Sequence, residues 1–194
     1  MPRWEHGSED RLKQAATELF EERGFQNTTA VEIAKRARVT TRTFFRYFAD
    51  KQAVVFADAE RLRAALIQQL GNTADAGQPL RSVTAVLAGF DWESLGSRES
   101  QRRRDRMIAS NPELLERDLM KQHEMAEAFS GVLRERGVEP YAAELAARVG
   151  IDVFRTAYRR WLAADEGDAE LSALVEAVMT ALNSIAPAPR GSET

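Results

Sequence analysis

The chain has 194 residues, a formal net charge of -3 and no cysteine. That length suits one compact body or a small domain joined to a larger one, and the missing cysteine excludes disulfides and thiolate chemistry. With His6 and His123 as the two imidazoles, no metal site and no cofactor is implied.

The opening run Met-Pro-Arg-Trp-Glu-His is charged where a secretion signal would be apolar. No uncharged apolar stretch nears the roughly 20 residues of a membrane span. The expectation is a cytoplasmic protein without a membrane partner. A negative total charge argues against bulk coating of nucleic acid, so charge has to be read locally. Residues 33–48 hold Lys35, Arg36, Arg38, Arg42 and Arg46 and no acid, a charge of +5 over sixteen residues.

In chain order, Ser8 precedes a helical stripe of Leu12, Ala15, Ala16, Leu19 and Phe20 that stops at Gly24, a residue favoured after helix ends. Thr29-Ala-Val-Glu32 reads as a capping box opening a short second helix with Ile33, Ala34 and Ala37 inward. Thr40 can cap a third helix carrying Phe44, Tyr47 and Phe48, and Asp50 a fourth, long and uninterrupted from Lys51 to Leu70. Asn72 to Pro79 reads as a loop before a helix around Leu80 to Phe90, and Asp91 to Gly96 fits no element. Arg98 to Ala109 is helical, Asn111-Pro-Glu starts another helix that runs to Gly137, and two apolar helices follow, about Tyr141–Ala163 and Ala169–Ile185. The tail 187–194 is expected to be disordered. No segment alternates with period two, so the fold class is all-α.

Arg38-Val39-Thr40 separates helices two and three by the length used in helix-turn-helix units, whose second helix enters the major groove. Ile33, Ala34, Ala37, Val39, Phe44 and Phe48 supply a miniature core. Thr41, Arg42, Thr43 and Arg46 remain on the outward face, where arginine suits guanine edges and hydroxyls at a helix start suit phosphates. The plain alternative is a solvated basic hairpin.

The run Thr28-Thr-Ala-Val-Glu-Ile-Ala-Lys-Arg-Ala-Arg-Val-Thr-Thr-Arg-Thr-Phe-Phe-Arg-Tyr-Phe-Ala-Asp-Lys51, after Ala15-Ala16, Leu19-Phe20 and Gly24-Phe25, closely resembles the DNA-binding signature of the TetR family. The resemblance implies a three-helix DNA-binding domain at 1–50 and a helical effector-binding and dimerisation domain at 51–186. It implies a homodimeric transcriptional regulator, most simply a repressor of a palindromic double-stranded operator released by a small molecule. Carried over position by position, Thr29, Tyr47 and Lys51 correspond to phosphate contacts, and Thr40, Thr41, Arg42, Thr43 and Arg46 to the recognition face. Phe45 stands where the family often has Tyr and offers an apolar contact, such as to a thymine methyl. Arg38 stands where Gly is usual, so the turn must accept a left-handed side-chain-bearing residue or differ in shape.

The last two helices are the natural dimer seam, through Val149, Val153, Ala157, Leu174, Val178 and Leu182; alternatively these faces only complete the chain's own core. A second stretch, Asp105 to Leu114 with Phe154-Arg-Thr-Ala-Tyr and Trp161, is similar to mycofactocin-regulator-like proteins. That similarity implies a lipophilic or acyl-coenzyme A type effector, lined by Phe90, Trp92, Met107, Met120, His123, Met125, Phe129 and Trp161, although such stripes are usually core. The Arg98, Arg102, Arg103, Arg104, Arg106 run reads as a solvated face paired with Glu99 and Asp105. An enzyme has no supporting motif, neither a nucleophile elbow nor a phosphate-binding glycine loop. A protein-binding adaptor would lack the steep salt dependence that phosphate contacts impose.

Overall fold

Helix ends in the first third of the chain are fixed by their own side chains. In the computed structural model, which describes residues 6–165 and 170–185, α1 spans His6–Arg23, α2 Ala30–Arg36, α3 Thr41–Tyr47 and α4 Lys51–Val55. Thr29 and Glu32 close a reciprocal capping box, Thr40 accepts from the Thr43 N–H, and Asp50 accepts from the Ala53 N–H. Each cap satisfies a backbone donor that the first turn leaves free, stabilising its helix by about 1 kcal/mol. The caps therefore set where α2, α3 and α4 begin.

These helices share one core. Leu12, Ala15, Ala16 and Leu19 of α1 meet Ile33, Ala34 and Ala37, then Phe44, Phe48 and Val54. Phe44 is fully buried, and a side chain of that size adds roughly 1.5–3 kcal/mol of burial. The small Ala34 and Ala37 allow α2 to lie close against its neighbours.

The expected long fourth helix is broken. After α4 the chain turns at Phe56, and α5 runs over Ala59–Thr73. The break has two visible causes: Phe56 leaves the helical stripe to bury itself with Phe25, Ile108 and Leu114, and the Asp58 carboxylate is held by Lys13 and Arg61. Periodicity alone did not register this bend, because the turn keeps the apolar spacing on both sides.

The remaining elements are α6 Pro79–Ala88, a 3-10 turn Trp92–Leu95 in the stretch that fits no element by sequence, α7 Arg98–Ser110, α8 Pro112–Glu135, α9 Pro140–Ala163 and α10 Leu171–Ile185. Among the described residues there is no strand. The expected tail lies outside the described residues.

The chain divides into two compact units, one with residues up to 62 together with 104–117, the other with 63–103 and the residues from 118 on. The expected boundary at residue 50 does not coincide with this division, because α4 and the α7–α8 junction belong with the first three helices. In the second unit α9 packs on α6 and α10. A Cβ on Gly150 would meet Val83 at 2.5 Å, so the α6–α9 approach requires glycine there. No described helix is long and apolar enough to cross a membrane.

Candidate nucleic-acid interface

The α2–α3 connection is a complete helix-ending motif. The Val39 N–H donates to the Ala34 carbonyl at 3.0 Å and the Arg38 N–H to Lys35 at 3.1 Å, the two bonds of a Schellman cap. Its pivot, Arg38, has φ 56°, the left-handed conformation where glycine is favoured. The turn thus keeps the expected shape with a less suitable residue.

On α3, Phe44 is buried beneath the helix while Arg42, Phe45 and Arg46 are exposed and Thr41 and Thr43 half-buried. Phe45 keeps 55 % of its surface open and stands edge-on to Phe44, ring centres 5.3 Å apart. Arg46 lies 4.9 Å over the Tyr47 ring and donates to its hydroxyl at 3.2 Å. The Thr40 and Thr43 hydroxyls share a hydrogen bond of 2.9 Å. Charge, hydroxyls and one apolar ring are thereby presented together on a helix of two turns.

The electrostatics sharpen the count of +5. Arg36 turns away from α3 toward α1, bonding Glu22 at 2.7 Å and Glu18 at 3.2 Å. Those bonds, Glu22 first, raise the guanidinium above its ordinary range and hold the Glu22 carboxyl below its own. Lys35, Arg38 and Arg42 are exposed and make no hydrogen bond or ion pair among the described residues. Sequence alone marks Lys35 only through the acid-free run, and marks Arg38 as the residue at the turn's glycine position without giving it a DNA contact.

Two expected phosphate contacts carry structural bonds as well. The Thr29 hydroxyl accepts from the Glu32 N–H and bonds the Glu32 carboxylate at 2.8 Å. With the Thr29 N–H, it lowers the Glu32 carboxyl below its ordinary value. Lys51 donates to the Phe25 carbonyl at 2.8 Å and sits 4.3 Å over the Phe25 ring, so its ammonium closes the α1–α2 turn.

The effector-lining set does not converge. Phe90, Trp92 and Trp161 do join one aromatic cluster, completed by Phe154 and Tyr158: Trp92 stacks on Phe154 at 4.9 Å, and Tyr158 lies 5.5 Å from Trp161. Buried Gln101 ties this cluster together by donating to the Trp92 and Gly96 carbonyls and accepting from the Tyr158 hydroxyl. Met107 instead packs with Phe56, Ile108 and Leu114 in the first unit. Met120 and His123 are exposed on α8, Met125 is half-buried, and Phe129 is fully buried. A helical stripe cannot distinguish these fates, since it reports a face and not what covers it.

Of the expected seam, Val153 and Ala157 are buried within the chain itself, while Val149, Leu174, Val178 and Leu182 keep part of their surface. The arginine run is not a plain solvated face either. Arg102 and Arg103 do pair with Glu99, but Arg102 also donates to the Leu162 and Ala164 carbonyls, and Arg98 to the Asp165 carbonyl while lying 4.3 Å over Trp161. Cations at the end of α9 satisfy carbonyls that the helix leaves unpaired. Among the described residues no group of histidine and carboxylates could hold a metal.

Residues 12–57 match the family model for bacterial regulatory proteins of the tetR family. The match spans α1 to α4, the helices that build the basic, hydroxyl-bearing face. These residues carry a TetR-family DNA-binding domain. Over 188 residues, 92 % of the chain and 82 % of the relative, the chain is 29 % identical to the transcriptional regulator TcmR of Streptomyces glaucescens. It is 27 % identical over 154 residues, 78 % of each chain, to the mycofactocin biosynthesis regulator MftR of Mycobacterium tuberculosis. Among solved structures, the FadR repressor of Thermus thermophilus in complex with lauroyl-CoA is 28 % identical, with a TM-score of 0.57 covering 94 % of this chain and 100 % of that one. The chain is a DNA-binding transcriptional regulator with a helix-turn-helix and not an enzyme.

Proposed function

We propose that this TetR-family regulator is a repressor that binds a palindromic operator as a homodimer and lets go when a small lipophilic effector binds. The observation that carries the DNA half is the face of α3, where Thr41, Arg42, Phe45 and Arg46 project from a helix anchored by buried Phe44. Arginine can bond guanine edges bidentately, and Phe45 can meet a thymine methyl. Thr40 and Thr43 complete that recognition face, and Thr29, Tyr47 and Lys51 serve the phosphates at its margins. The domain reading remains a DNA-binding part through residue 50 and an effector-binding and dimerising part over 51–186.

Dimerisation is proposed through the outward sides of α9 and α10. Val149, Leu174, Val178 and Leu182 lie there partly uncovered, with exposed Leu145 four residues before Val149 and exposed Ile185 three after Leu182. Val153 and Ala157 support that seam from beneath. A second copy would bury this apolar surface across a twofold axis.

For the effector, the cluster of Phe90, Trp92, Phe154, Tyr158 and Trp161 supports a lipophilic molecule, with Met107, Met120, His123, Met125 and Phe129 the weaker candidates. The lauroyl-CoA bound by the Thermus relative makes an acyl-CoA the first compound to test. Helices α5, α7 and α8 each contribute residues to both compact units. Effector binding can therefore act on DNA binding through continuous helix backbone.

The test captures chromosomal DNA bound by the protein, then titrates the recovered duplex with and without lauroyl-CoA and other lipophilic metabolites. A recovered site with twofold sequence symmetry, bound by a species of twice the 21.7 kDa chain mass, is the expected result. Asymmetric sites bound by a monomer would remove the dimeric reading; affinity unchanged by every ligand that binds tightly would remove the effector switch.

A further inference from the structure

Arg38 is a backbone misfit with a free charge. It occupies the left-handed pivot of the α2–α3 turn at φ 56°, a conformation that glycine adopts freely and that a Cβ opposes. Both hydrogen bonds of the turn are made by backbone, from the Arg38 and Val39 N–H groups. The side chain contributes nothing to them. It is exposed and makes no hydrogen bond, ion pair or ring contact among the described residues. A strained conformation kept without an intramolecular return points to a use outside the chain.

The surroundings indicate what that use is. Lys35, three residues earlier on α2, and Arg42, four residues later on α3, are the other exposed cations of this motif without a partner among the described residues. Arg36, by contrast, is committed to Glu22 and Glu18. The unmatched positive charge is thus distributed over α2, the turn and the start of α3, and a row of like charges calls for a polyanion. We infer that Arg38 is a DNA-backbone contact of this protein, a phosphate-binding side chain retained in the turn at the expense of the stability that glycine would give. The contact extends the interface from the recognition helix back across the turn.

This inference rests on duplex DNA being the ligand, and it predicts that one substitution moves stability and affinity in opposite directions. Thermal melting and fluorescence anisotropy would be measured for the full chain, Arg38→Gly, Arg38→Asn and Arg38→Lys. The probe is a fluorescein-labelled mixed-sequence duplex of about 30 bp, because phosphate contacts are independent of sequence, and KCl is varied from about 50 to 200 mM. Arg38→Gly should raise Tm by about 2–4 °C, while the slope of log affinity against log salt becomes shallower by about 0.9 per subunit. Arg38→Asn, which tolerates the left-handed backbone, should lose the same slope, and Arg38→Lys should keep it.

A slope left unchanged by Arg38→Gly overturns the inference alone. A Tm that fails to rise in that variant shows that the side chain serves the fold, and overturns it as well. Absence of salt-dependent binding by the unmodified chain would instead overturn the DNA reading on which the inference stands.

Discussion

Arginine is used in opposite ways in the two compact units. In the first, Arg42 is exposed without a partner among the described residues and Arg46 lies across the Tyr47 ring on the outer face of α3. In the second, Arg98 and Arg102 reach the carbonyls that end α9. Nothing in the residue type separates these roles. On α3 no acid or backbone carbonyl among the described residues bonds the guanidinium, so its charge stays available to a phosphate or a base. On α7 the closing carbonyls of α9 are within reach, and Arg98 and Arg102 donate to them. A cluster of arginines in a sequence is therefore not by itself a binding surface.

The contrast can be broken most severely at its anchor. Phe44→Ala removes the fully buried ring beneath α3 and should destabilise the first unit by about 3–5 kcal/mol. DNA binding would be lost, while helical circular dichroism retains the share of the second unit; a variant that still binds DNA with wild-type affinity would show that α3 does not depend on this core.

Arg42→Ala and Arg46→Ala should each weaken binding to a recovered operator by about 1–3 kcal/mol, with Tm unmoved. Gel-shift titration checks the first part and calorimetry the second. Equal affinity in both variants would remove these residues from recognition.

Gly150→Ala forces a Cβ to 2.5 Å from Val83 and should cost about 1–3 kcal/mol of stability. Val83→Ala in the same chain should recover part of that loss, a coupling read from a double-mutant cycle of melting curves. Additive costs would mean that α6 and α9 can move apart. Arg102→Met is the mirror of Arg42→Ala: it should destabilise the fold by roughly 1 kcal/mol for partly exposed bonds, read as a lower Tm, and leave the salt dependence of DNA binding as it was.

The smallest effect is a pH dependence. The Glu32 carboxyl lies below its ordinary 4.5 because the Thr29 hydroxyl and N–H donate to it, with Arg23 adding to the effect and desolvation opposing it. A carboxyl with a lowered folded-state value stabilises the fold above the unfolded value and loses that contribution as pH falls through the folded one. The Tm gap between the unmodified chain and Glu32→Gln should therefore be present at neutral pH and close as the solution is acidified below 4.5. A gap that widens on acidification would contradict the capping-box assignment.

How much was readable in advance follows the same division. The caps at Thr29, Thr40 and Asp50 and the core of Ile33, Ala34 and Phe44 depend on residues a few positions apart, and the sequence reading placed them. Lys35 was overlooked, since an exposed cation is informative only once its neighbours are known to be otherwise engaged. In the second unit Trp92, Phe154, Tyr158 and Trp161 come together through Gln101, across separations that no local pattern encodes. Met120 and His123 shared a helical pattern with buried residues but remain outside.

By itself, the sequence determined the all-helical class, the starts of the capped helices and the family signature from Ala15 to Lys51, which lies inside the matched residues 12–57, because capping, turn formation and helical periodicity are local. Tertiary structure alone decided the bend at Phe56, the pairing of Arg36 with α1 and the diversion of Arg98 and Arg102 to the end of α9. Each of those depends on which buried surface or unpaired group from a distant segment lies within reach, and only the packed chain brings them together. The left-handed Arg38 stands between the two: its position was legible from the spacing of the turn, but its unmatched charge became visible only when the bonds of its neighbours were known.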